Sequence, residues 1–106
     1  MTRLGSCLVA LLLAACVPVS PDTPLRGDRA EAEEVARRFV AARDPVIDPA
    51  PAAACIARHA SRDEVTTLLA GGAVEDTVRE IVRRQSTQTC FSDSGVPDFG
   101  IELLIA

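Results

Sequence analysis

The chain has 106 residues, which sets a ceiling of one small domain. All eleven basic residues are Arg, against fifteen Asp and Glu, and the net charge of −4 argues against a nucleic-acid partner, which needs clustered positive charge. Trp and Tyr are absent and Phe39, Phe91 and Phe99 are the only aromatics, so stacking platforms for sugars or bases are not expected.

Residues 1–15 read as a targeting segment. Met1 to Cys7 carries one charge, Arg3, and Leu8 to Leu13 is an apolar run. That run is too short to cross a bilayer, which takes about 20 apolar residues. Ala14, Ala15 and Cys16 follow it. Leu13-Ala14-Ala15-Cys16 resembles the lipobox of bacterial prolipoproteins. The resemblance implies diacylglycerol transfer to the Cys16 thiol, cleavage before Cys16 and acylation of the new amine. Two or three acyl chains make a stable anchor where one is marginal. By resemblance to enterobacterial sorting, Val17 in place of Asp favours the outer membrane, with the domain facing the periplasm.

Residues 16–27 form a tether. Val17 to Gly27 holds Pro18, Pro21 and Pro24, which stiffen and extend it to roughly 30–35 Å at most. Loss of Arg3 with the leader leaves ten Arg against fifteen acids, an ordinary soluble surface and not a polybasic membrane patch.

Residues 28–106 are expected to form an all-α domain: a small bundle of three to four short helices, stapled by one disulfide, with an irregular C-terminal tail. Asp28 and Glu31 have capping-box spacing. Ala32, Val35, Ala36, Phe39 and Val40 then share one face, which predicts a helix over residues 29–43. Glu33–Arg37 and Glu34–Arg38 stand at i, i+4 in the favourable order. Asp44-Pro45 stops that helix, and Pro45, Pro49 and Pro51 are expected to keep the next segment extended. A second short helix is predicted over residues 52–60.

Ser61-Arg62-Asp63-Glu64 is a second capping box and opens a third helix carrying Val65, Leu68 and Leu69. Gly71-Gly72 ends it. A fourth helix is predicted from about Val74 to Gln85, with Val74, Val78, Ile81 and Val82 on its apolar face. Its acids Glu75 and Asp76 and its bases Arg83 and Arg84 both suit the helix dipole. Beyond it, Ser92 to Asp98 reads as turn material. Ile101 to Ile105 is a short apolar end, either a strand or an extended tail docked on the helices.

Four cysteines are encoded. With Cys7 removed and Cys16 lipidated, Cys55 and Cys90 remain, and a pair in an exported chain reads as a disulfide. The bridge would tie the second helix to the end of the fourth. Alternatively Cys55 and His59, at i, i+4, hold a metal with Cys90 as a third ligand. A redox couple is disfavoured, because no Cys-x-x-Cys is present.

His59 with Ser61 and Asp63 sketches a nucleophilic triad, but sequence adjacency does not create the geometry and no nucleophile elbow is present. His59 therefore reads as a helix-surface residue, and no catalytic residue or cofactor is assigned. The leading expectation is a non-enzymatic, lipid-anchored envelope protein that binds another envelope protein or maintains the cell surface; the apolar tail Ile101 to Ile105 could supply a contact, but packing back onto the helices is the favoured reading of it. The alternative is a metal-handling periplasmic lipoprotein using Cys55, His59 and Cys90.

Overall fold

The computed structural model describes residues 25–98 and Leu104. The expected leader, and all of the tether except its last three residues, lie outside them. The described residues form five helices and no strand: α1 (Asp28–Arg43), α2 (Pro49–His59), α3 (Arg62–Ala70), α4 (Val74–Val82) and α5 (Gln85–Asp93). The all-α expectation holds, with one helix more than the three to four expected. None of these helices is long and apolar enough to cross a membrane.

α1 follows its apolar spacing. Ala32, Ala36 and Val40 are fully buried, and Val35 and Phe39 pack beside them. Its start differs from the capping-box expectation. Gly27 is the N-cap, in a positive-φ conformation suited to glycine, and no side chain caps this end. Asp28 lies one residue inside the helix, where it and Glu31 face the positive end of the dipole. Arg37 and Arg38 both reach Glu34, at 3.5 and 3.7 Å. Asp44 is extended, as a residue before proline prefers, and ends α1. Its Oδ1 accepts from the Val46 amide at 3.1 Å.

α2 begins three residues earlier than expected, and Pro49 and Pro51 belong to it. First-turn amides have no partner inside a helix, so proline costs little there and its fixed φ suits the turn. Asp48 supplies the cap, accepting from the Ala50 amide at 3.1 Å. α2 is the central element: Ala52, Ala53, Cys55, Ile56 and Ala57 are all buried. α1 lies along it, and α4 and α5 also pack on it. The alanines on the facing sides of α1 and α2 allow a close approach of the two axes.

α3 starts with the expected box. Ser61 Oγ accepts from the Glu64 amide at 3.1 Å, and Glu64 Oε1 accepts from the Ser61 amide at 2.8 Å. It ends at Gly71, whose φ of 79° sets the left-handed stop.

The fourth predicted helix is in fact two. α4 ends at Val82, the chain turns extended at Arg84, and α5 starts at Gln85. α5 runs through Ser92 and Asp93, which the sequence placed in a turn. Its sequence QSTQTCFSD has almost no apolar stripe; tertiary burial of Thr87 and Phe91, one turn apart, holds it. The turn follows at Ser94-Gly95, where Gly95 takes φ 79° and the Val96 amide returns to Phe91 O at 2.9 Å. Most of the apolar end, residues 101–105, lies outside the described residues. Leu104 is helical and buried in the same core as Phe91, Ile56 and Leu68.

Candidate functional site

Cys16, the lipidation residue expected from the sequence, lies outside the described residues. Cys55 and Cys90 are bonded, with Cα atoms 5.7 Å apart and an S–S length of 2.08 Å. The Cα separation is that of an ordinary bridge. The bond joins the middle of α2 to α5, and not to the end of α4 as the sequence implied. Cys55 is buried, Cys90 partly so, and Ser94 Oγ stands 3.6 Å from the Cys55 sulfur.

With both sulfurs in the bridge, neither offers the thiolate that a metal needs. Among the described residues no group of three or more His, Cys, Asp or Glu is placed to hold a metal ion. The Cys55, His59 and Cys90 set is thus not a ligand set in this oxidised form.

His59 ends α2 and is half-buried. Burial, and then the neighbouring Arg58 charge, lower its pKa, which favours the neutral imidazole at pH 7. Ser61 Oγ is occupied by the Glu64 amide, and Asp63 is an exposed first-turn residue of α3. Ser61 and Asp63 act as helix-start residues, as their spacing suggested.

The polar feature that sequence reasoning missed is a pair of arginines closing the corner between α2 and α3. Arg29, from the first turn of α1, donates through Nη1 to the carbonyls of Ala57 and Ala60 at 2.5 and 2.8 Å. Arg84, from the α4–α5 break, donates to His59 O at 3.0 Å and grips both Glu64 oxygens at 2.6 and 2.5 Å. Carbonyls at a helix C-terminus lack partners inside the helix and carry partial negative charge, so two guanidinium groups there satisfy and neutralise them. Arg84 and Glu64 are 20 residues apart, and no local spacing rule pairs them. Glu64 thus joins its own helix cap to the α4–α5 break.

Three buried atoms of the described residues lack a hydrogen-bond partner: Asp44 Oδ2, Arg79 Nε and Thr87 Oγ1. They lie at the end of α1, on α4 and on α5.

The clasp gives a pH prediction. Burial raises the Glu64 pKa, but the Arg84 hydrogen bonds and charge, with the Ser61 amide, outweigh it and hold the carboxyl below the ordinary glutamate value. A carboxyl with a depressed folded pKa stabilises the fold fully above its unfolded pKa, and the contribution is lost as pH falls through the folded pKa. Arg84→Gln should raise the Glu64 pKa toward the ordinary value and remove that part of the acid dependence. A carboxyl NMR titration of both proteins checks this; an unmoved Glu64 titration would refute the clasp.

Compared with known proteins, the chain matches no protein-family model, no curated protein and no solved structure.

Proposed function

We propose that this chain is a lipid-anchored bacterial envelope protein whose domain acts without catalysis, as a structural or protein-binding module. The observation that carries the reading is Leu13-Ala14-Ala15-Cys16 directly behind the apolar run Leu8 to Leu13. Diacylglycerol on Cys16 and acylation of the new amine would fix the chain at a membrane. The proline tether would then hold the domain within roughly 35 Å of it. The Cys55–Cys90 bridge supports an exported address, because structural disulfides persist in oxidising compartments. Val17 after the lipidated cysteine favours the outer membrane, with the domain in the periplasm.

The non-catalytic half of the proposal rests on the occupied state of the polar groups. Ser61 caps a helix, Glu64 and Arg84 hold one another, and the cysteines are spent in a bridge. With Leu104 in the core, a partner surface is to be sought on the exposed helix faces and not on that side chain.

Metabolic labelling with a radioactive fatty acid and intact mass of the membrane-extracted protein test the anchor. The expected product begins at lipidated Cys16, and Cys16→Ser should abolish labelling and leave the leader attached. Label retained in Cys16→Ser, or a mature chain starting elsewhere without lipid, would overturn the anchor. Crosslinking in intact cells followed by envelope solubilisation tests the module. A discrete crosslinked protein is expected, and none at any exposed helix position would count against it.

A further inference from the structure

The domain is acidic overall, yet three arginines converge on one cleft. It has a volume of about 290 Å³ and is lined by Arg26, Asp28, Arg29, Arg62, Val65 and Thr66. The residues come from the entry to α1 and the first turns of α3, which the fold brings side by side. Three arginines and one aspartate line it, so the lining has a net positive charge despite the chain's overall −4.

The arginines of the cleft favour an anion. Guanidinium groups present N–H donors in a planar fork that matches phosphate oxygens. Arg29 is already fixed by its Nη1 bonds to Ala57 and Ala60, so holding it in place for a ligand costs little further side-chain entropy. Arg26 and Arg62 are exposed and free to close on an occupant. Buried Val65 belongs to the lining, and Thr66 Oγ1 is held by its bond to Arg62 O at 3.2 Å. The positive end of α1, which no side chain caps, adds to this; the start of α3 is already closed by Ser61 and Glu64 and adds nothing. Asp28 opposes a ligand's charge, against the three arginines.

Location selects the source of that phosphate. Arg26 and Asp28 stand where the tether enters the domain, so the cleft sits at the root of the chain that leads to Cys16. We propose that the Arg26–Arg29–Arg62 cleft binds a phosphate group presented by an anionic phospholipid headgroup. The choice of a lipid source rests on the lipid-anchor reading; the phosphate site itself does not. Binding there would orient the anchored domain with the first turns of α1 and α3 toward the bilayer and leave the opposite end for a partner.

The test uses the full chain in neutral maltoside micelles, with amide NMR shifts followed during three titrations: phosphatidylglycerol doped into the micelles, phosphatidylcholine likewise, and inorganic phosphate. Saturable shifts at residues 26–29 and 62–66 are expected with phosphatidylglycerol. They should weaken about tenfold in Arg26→Gln/Arg62→Gln, as loss of charge-assisted contacts requires. Both residues are exposed, so an unchanged melting curve verifies that the variant is folded. Equal saturation by inorganic phosphate would keep the site and overturn the lipid source. No saturable shift with any probe, or shifts unaltered in the double variant, would overturn the site. The mass of the same sample reports Cys16 separately, so failure of the anchor and failure of the cleft are distinct results.

Discussion

Replacing Cys55 and Cys90 together by alanine is expected to remove about 3.8 kcal/mol of stability, the chain-entropy value for a loop of this length. The bridge spans 35 residues, nearly half of the described chain, and joins α2 to α5. α5 is the helix least able to form alone, being nine residues long with a mostly polar sequence. The bridge confines its partner-free states and so acts where local propensity is weakest. In a domain of this size each kcal/mol moves the melting midpoint by about 4–8 °C, so a fall of about 15–30 °C is expected. Reduction of the native protein should give the same fall, measured by circular dichroism with and without a thiol. A midpoint lowered by less than about 4 °C would show that helix packing, and not the bridge, holds α5.

Phe91→Ala is expected to cost about 3–5 kcal/mol, in the range for a fully buried aromatic side chain. Phe91 is 0 % exposed and the largest of the fully buried side chains. It sits in a core otherwise built of Ala, Val, Ile, Leu and Cys55, which cannot collapse far enough to fill the space of a phenyl ring. Phe91→Leu keeps most of the volume and should cost less than half as much. Chemical denaturation of the three proteins measures this. Equal midpoints for Phe91→Ala and the native chain would refute the placement of α5 in the core. Phe91 follows Cys90 directly, so the two losses should not add: with α5 already released by bridge removal, the ring has less packing left to lose.

These two expectations fall on the region the sequence described least well. α1, α3 and α4 carry periodic apolar positions, and Val40, Leu68, Val78 and Ile81 are buried as the periodicity required. The Ser61–Glu64 box and the Gly71 stop were equally legible, because each depends on residues within one turn. α5 had no such pattern. Its buried residues are a threonine and a phenylalanine, and contact with α2 and α4 turns them into a helix face. The start of α2 is hidden in the sequence for a related reason. Proline ordinarily breaks a helix, whereas at the first turn it is compatible with one, and Asp48 supplies the cap.

The polar sites divide in the same way. The cysteine pairing followed from counting, once one cysteine was assigned to the leader and one to the lipid. The Arg29 and Arg84 contacts, and the convergence of Arg26, Arg29 and Arg62, did not. Net charge is a sum over the chain and carries no information about where charges meet. An arginine in a helix's first turn reads locally as unfavourable to the dipole; here Arg29 answers the C-terminus of a different helix.

The sequence by itself determined the all-α class, the apolar faces of α1 and α4, and the α3 cap with its glycine stop; it favoured the Cys55–Cys90 bridge over a metal site, and of the α3 apolar residues Leu69 is exposed. Those features are set by interactions between residues a turn apart, or by the count of one residue type. Only the tertiary structure decided that α5 exists, that Cys90 bridges from it, and that arginines 33 to 36 residues apart share a cleft with Arg62. The physical reason is distance along the chain: burial and charge pairing act through space, and a segment without its own pattern takes its conformation from what it packs against.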